Sequence, residues 1–145
     1  MDARTIGIHL ILTPSGASMR IPRLARREIV DIITSTASAH ACRYKESCVR
    51  EDHAHVLIEA VDEGTVAEFI AKCMEDITDQ VRTYHPTFSL SDRVHVTLLP
   101  PWHLEIMASF IRDQDRYHEH RSLAEEIDEI FRPNAIDSLE ADHVN

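Results

Sequence analysis

His53-Ala54-His55-Val56-Leu57-Ile58-Glu59-Ala60-Val61 reads as a β-strand, because Val56, Leu57 and Ile58 favour a pleated, half-buried surface. Successive side chains of a strand point to opposite faces. The period of two therefore sends His53, His55, Leu57 and Glu59 one way and Ala54, Val56, Ile58 and Ala60 the other. Glu51 and Asp52 make the turn back to an antiparallel partner over residues 41 to 50. Upstream, Ile6 to Leu12 alternates with the same period and ends at Pro14-Ser15-Gly16. Between these strands, Leu24 to His40 carries Leu24, Ile29, Ile32, Ile33 and Ala37 at mostly helical spacing.

Downstream, Thr65 with Glu68 forms a capping-box signature, and Val66, Phe69, Ile70, Cys73, Ile77 and Val81 follow as the stripe of a second helix that Pro86 closes. Val94 to Leu99 alternates again as a fourth strand. Pro100 and Pro101 lead into a third helix from His103 to His120, and Leu123 to Phe131 makes a short acidic helix. The order β-α-β-β-α-β-α is that of an α+β fold, a ferredoxin-like βαββαβ sandwich with an antiparallel sheet and an added C-terminal helix. Residues 1 to 131 are expected to form a single domain and 132 to 145 a frayed acidic tail.

The 145 residues are 43% apolar, enough for one core. No stretch approaches 18 uninterrupted apolar residues, and the N-terminus lacks the basic start and apolar run of a signal peptide, so a soluble cytoplasmic protein without a membrane partner is expected. Cys42, Cys48 and Cys73 lack CxxC spacing and read as reduced thiols. The net charge of −10 argues against indiscriminate polyanion binding. The charge is uneven, however: residues 1 to 50 carry eight basic and four acidic side chains, net +4, and the remainder seven and twenty-one, net −14. Arg20, Arg23, Arg26 and Arg27 accordingly leave room for a local basic surface.

His53 and His55, on one strand face, can hold a divalent ion through neutral ring nitrogens. Among ten histidines such a triplet also arises by chance, as partly exposed strand residues. On the third helix Phe110 and Gln114 are four residues apart and share a stripe with Met107 and Tyr117, while Leu104, Ala108 and Ile111 make the stripe that packs on the sheet. The Gln114 carbonyl oxygen can serve as a hard-metal donor, although without further context a glutamine there reads better as a solvated helix residue. His95-Val96-Thr97 fits the HxT motif of two-histidine phosphoesterases, but no other histidine has Ser or Thr two residues later.

Asp52-His53-Ala54-His55-Val56-Leu57-Ile58 resembles the DHxHLL strand of the insertion-sequence-200-like transposases, single-tyrosine members of the HUH group. Phe110-Ile111-Arg112-Asp113-Gln114-Asp115-Arg116-Tyr117-His118 resembles their YIxxQexHH helix. Arg121-Ser122-Leu123-Ala124-Glu125-Glu126 is similar to the RSFxxEE continuation of the REP-associated tyrosine transposases, and Ile8 to Pro14 to their first strand, so the likeness spans residues 6 to 131. The resemblance implies that His53 and His55, helped by Gln114, hold Mg²⁺ or Mn²⁺ against a scissile phosphate of single-stranded or hairpin DNA. In such enzymes a tyrosine hydroxyl attacks, leaving a 5′-phosphotyrosine and a free 3′-hydroxyl.

By this mapping the nucleophile falls at Phe110, whose ring fills the same space without an oxygen. Tyr117, seven residues on, is expected ~10 Å further along the helix at ~1.5 Å per residue, and Ser109 points about 100° away. Cleavage and strand transfer are thus expected to be impaired, with a catalytically inactive DNA-binding or regulatory module as the alternative. Residues 85 to 93 lack the tryptophan-glutamine and glycine-tyrosine pattern of the relatives, and Lys72 is followed by Glu75 and Asp76. Both departures weaken the inferred DNA surface. Relatives of the insertion-sequence type form homodimers, whereas some REP-associated members act as monomers.

Overall fold

The computed structural model describes residues 5 to 16 and 18 to 131, with the Phe131 side chain excepted. The tail expected over 132 to 145 lies outside the described residues. Strands β1 (Ile6–Leu12), β2 (Arg43–Val49), β3 (Ala54–Ala60) and β4 (His95–Leu99) form one antiparallel sheet in the order β2-β3-β1-β4. The β2–β3 connection is the expected two-residue hairpin: the Arg50 amide donates to the His53 carbonyl at 2.8 Å across Glu51 and Asp52. No helix among the described residues is long and apolar enough to cross a membrane.

The two faces of the sheet are divided as the period of two requires. Ile8, Leu10 and Leu12 of β1 and Ala54, Val56, Ile58 and Ala60 of β3 pack under α1 (Arg26–Ala39) and α2 (Glu63–Val81), with Ile29, Ile33, Phe69 and Ile77 fully inside. A 3₁₀ turn, Arg23–Ala25, precedes α1. The second helix starts earlier than its sequence signature suggests. Asp62, not Thr65, is the cap: its carboxylate accepts from the Thr65 amide at 2.7 Å, so the expected Thr65/Glu68 box lies inside the helix. An aspartate followed by the helix-tolerant Glu63 satisfied the orphan amides one turn sooner.

The opposite face carries Ile11, Leu57 and Leu99 against α3 (Leu104–Arg112), which supplies Leu104, Met107, Ala108, Phe110 and Ile111, and against Ile130 of α5 (Leu123–Phe131). The third helix is not continuous from His103 to His120. Backbone helicity breaks at Asp113 (φ −92°, ψ 19°) and resumes as a single turn, α4 (Gln114–Tyr117). The break re-aims the residues beyond it, with consequences for the site.

Gly7 sets how closely α3 approaches. A Cβ at this position would lie 2.5 Å from Leu104 Cδ2 and 3.0 Å from the Leu99 carbonyl oxygen. Since overpacking of a filled interior typically costs about 1–3 kcal/mol, Gly7→Ala should destabilise the protein by that amount in urea unfolding. An unchanged midpoint would mean that α3 is not seated by this contact.

Candidate functional site

His55 stands where period two puts it, on the α3 face of β3, and His53, one residue before the strand begins, is turned to the same side; both are fully buried. Cross-strand pairing places Ile11 opposite His55 and Leu57 opposite His9, so His9 of β1 is the diagonal neighbour of His55. The two rings stack, with centroids 4.9 Å apart and planes 6° from parallel, and His9 Nε2 lies 2.7 Å from His55 Nδ1. That bond turns His55 Nε2 towards the α3–α5 side. His53 is oriented the same way by Asp52, whose Oδ1 accepts from His53 Nδ1 at 2.7 Å. Such partners fix ring orientation and leave the other nitrogen for the site.

Gln114, fully buried at the start of α4, reaches this point from above. Its Oε1 lies 3.0 Å from His53 Nε2 and 3.2 Å from His118 Nε2. Its Nε2 donates to Glu126 Oε2 at 2.7 Å. Glu126, on α5, has no solvent exposure, and its other oxygen, Oε1, lies 3.2 Å from His53 Nε2, 3.2 Å from His55 Nε2 and 3.3 Å from His118 Nε2. Contact with His55 lacks hydrogen-bond alignment, so His55 Nε2 is a buried nitrogen without a hydrogen-bond partner. Sequence reasoning had placed His53, His55 and Gln114 here and missed His9, His118 and Glu126. His9 was legible only as an inward position of β1. The signal for the other two was a histidine four residues after Gln114 and a glutamate at an inward position of an acidic helix.

Charge is distributed unevenly over these groups. Burial alone would lower the His53 pKa, but its hydrogen bonds with Asp52, Glu126 and Gln114 outweigh that and raise it to about 9. Burial would likewise raise the Glu126 carboxyl, but the His53 and His55 imidazoles beside it and the Gln114 amide hold it well below the usual carboxylate range. His55 and His9 are depressed by burial, His9 further by its neighbour His55, and remain neutral. Without an ion, the proton on His53 balances the Glu126 carboxylate. The cluster of neutral or displaceable imidazole nitrogens, an amide oxygen and a carboxylate, with one buried nitrogen left over, is a donor set that fits a divalent cation.

Phe110 is buried with its ring edge-on to His55, centroids 5.9 Å apart. The Tyr117 ring is not ~10 Å beyond it, as an unbroken helix would require. Helicity is interrupted at Asp113, and the Phe110 and Tyr117 rings meet with centroids 5.1 Å apart. The Tyr117 hydroxyl donates to Glu129 Oε2 at 2.9 Å, beside Arg121, which donates to the same oxygen at 2.6 Å. Burial and the Glu129 carboxylate push the Tyr117 phenol well above its ordinary range, the reverse of an activated nucleophile.

Of the four arginines proposed from the charge distribution, Arg20, Arg23 and Arg27 are exposed and Arg26 is half-buried. Arg20 shares a cleft with Thr13, Asp52 and Leu123, and Asp52 is the partner of His53. Of the four, Arg20 thus borders the turn that carries His53. His95 and Thr97 face the α3 side on β4, where Thr97 pairs with His9 rather than with a second HxT strand.

No family model and no curated protein sequence matches the chain. Among solved structures, a crystal structure at 1.90 Å of a "putative transposase" from Deinococcus radiodurans R1 aligns with a TM-score of 0.57, at 13% identity, over 81% of this chain and 93% of that one. The de novo designed protein Foldit4 aligns with a TM-score of 0.40, at 14% identity, over 64% of this chain and 96% of that one. The chain, with its four-stranded antiparallel sheet in the order β2-β3-β1-β4, therefore shares the α+β fold of the Deinococcus structure.

The protonation pattern fixes how metal-free stability depends on pH. His53, raised to about 9 from an ordinary 6.5, contributes fully below about 6.5, and that contribution is lost as pH rises through 9. His9 and His55, depressed below the same ordinary value, oppose acid instead: below about 6.5 their unfolded forms take up protons that the folded forms refuse. The thermal midpoint of chelator-treated protein should therefore peak at about pH 6.5 and decline towards pH 9. A midpoint that rises steadily from pH 6.5 to 9 would contradict the assigned His53–Glu126 pairing.

Proposed function

We propose that the protein is a transposase-like factor of DNA transposition or recombination that binds single-stranded or hairpin DNA with a divalent metal and has lost the covalent step. The observation that carries this reading is the position of Phe110. Its ring is edge-on to His55 in the face where the resembling transposases keep a tyrosine, and it brings no oxygen. The fold shared with the Deinococcus structure and the meeting of His53, Gln114 and Glu126 support the same reading.

In this scheme His53, His55 and Gln114 would hold Mg²⁺ or Mn²⁺, which when bound supplies Lewis-acid polarisation of a phosphate oxygen. Asp52 and His9 keep the two imidazoles facing the site. Arg20, Arg23, Arg26 and Arg27 would supply the phosphate-attracting surface, with Arg20 in the cleft beside Asp52. Tyr117 does not replace the missing hydroxyl, because its own is engaged by Glu129 and its proton is held tightly. The cluster is buried beneath α4 and α5, so a phosphate reaches it only where these short helices give way. Both features favour binding over turnover.

The test is covalent capture of a hairpin oligonucleotide on a denaturing gel with Mg²⁺ or Mn²⁺. The wild-type chain should retain DNA in a native shift assay yet give no adduct, while Phe110→Tyr, which adds one hydroxyl on the same ring, should give one. Equal adduct in both proteins would show that another residue, with Tyr117 the first suspect, is the nucleophile and that the reading of Phe110 is wrong. Adduct in neither, with DNA retained, would favour the inactive DNA-binding or regulatory module. Failure of both proteins to retain DNA would end the nucleic-acid reading.

A further inference from the structure

The orientation of His118 constrains what lies at the centre of the cluster. Its Nδ1 is 2.7 Å from the Arg121 carbonyl oxygen, which only accepts, so Nδ1 carries a proton. In a neutral ring Nε2 is then a bare lone pair, and it points at two further acceptors, Gln114 Oε1 at 3.2 Å and Glu126 Oε1 at 3.3 Å. His53 repeats the arrangement: its Nδ1 donates to Asp52, and its Nε2 faces the same two oxygens at 3.0 and 3.2 Å. Four potential metal-donor atoms converge on one point. Without an ion the proton on His53 serves the two oxygens but leaves the His118 lone pair facing them, whereas a divalent cation at that point would engage all four together.

The spacing suits a particular kind of cation. In a tetrahedral shell with bonds of ~2.0–2.1 Å, neighbouring donors are ~3.3 Å apart. The four nitrogen–oxygen separations, 3.0 to 3.3 Å, match that edge, and the His53, His118 and Glu126 donor atoms all lie within 4.8 Å of one another. His55 Nε2, buried and without a hydrogen-bond partner 3.2 Å from the same Glu126 oxygen, is the remaining donor. Two or three imidazoles favour a nitrogen-seeking transition ion over Mg²⁺, which prefers an oxygen shell and retains waters. Since all these donors except His118 are fully buried and His118 is mostly so, the shell is closed, as in structural rather than catalytic centres.

We infer that Glu126 and His118 are direct metal ligands, which with His53 and the Gln114 carbonyl close a structural centre for a transition ion such as Zn²⁺ that ties α4 and α5 to the sheet. This rests on the metal-binding part of the proposed function and changes its ligand set and its role. No DNA is needed to test it. In chelator-treated protein, Zn²⁺ should raise the thermal midpoint by about 5–10 °C at a hundredfold excess over Kd, with little change from equal Mg²⁺. With ¹⁵N-labelled histidines, the Nε2 resonances of both His53 and His118 should move to metal-bound positions. Glu126→Gln, which keeps the side-chain shape, should weaken Zn²⁺ by on the order of 100-fold or more, since even outer-shell partners carry 10–100-fold.

Movement of His53 and His55 but not His118, with wild-type affinity in Glu126→Gln, would overturn this inference while leaving the His53, His55 and Gln114 reading intact. Absence of any histidine shift with either ion would remove both. The wild-type spectrum decides for His118 even where Glu126→Gln lowers metal-free stability.

Discussion

A carboxylate taken wholly out of water must be matched by positive charge or by several donors, and Glu126 is such a group. Its oxygens meet Gln114 of α4, His55 of β3, His53 in the turn before β3 and His118 in the connection that follows α4. Removing one partner of a buried pair of this kind typically costs about 3–5 kcal/mol. The pairing therefore decides where α5 docks. Ile130, the buried apolar anchor of α5, is carried onto the sheet by the same helix that delivers Glu126. Polar satisfaction and apolar packing thus fix one geometry together.

The break at Asp113 is what allows this convergence. A straight helix from His103 to His120 would carry Tyr117 and His118 away from the sheet at ~1.5 Å per residue. With the chain re-aimed after Arg112, Gln114 turns inward, Tyr117 packs against Phe110, and His118 meets His53 with ring centroids 5.0 Å apart. Asp113 itself is exposed and the Asp115 side chain is paired with Arg50 of the β2–β3 hairpin. That ion pair joins the break to the turn that carries Asp52 and His53.

The aromatic residues separate space-filling from chemistry. Phe110 occupies its place through burial and an edge-on contact with His55, which a tyrosine ring would make equally well. Tyr117 has the hydroxyl that Phe110 lacks, yet that hydroxyl is directed to Glu129 on α5, with Arg121 completing the contact. Its function in this arrangement is to hold α5 in place. The one phenol near the cluster is thus committed to the same docking that Glu126 secures.

Much of the fold was legible because it rests on local periodicity. β1 spans Ile6 to Leu12 as the alternation of apolar residues requires, and the faces of β3 separate Val56 and Ile58 from His55 and Leu57 as period two dictates. Helix boundaries were less legible, since Asp62 and Thr65 both offer caps and only the folded chain selects between them. Of the cluster, the sequence determined His53 and His55, which period two sends to one side, and placed Gln114 near them. What only the tertiary structure decided was the arrival of His9, His118 and Glu126. His9 depends on the register between β1 and β3, His118 on a helix break that has no periodic signature, and Glu126 on where a separate helix docks. Register, breaks and docking are set by long-range burial and charge pairing, and these are properties of the folded chain rather than of any short stretch of it.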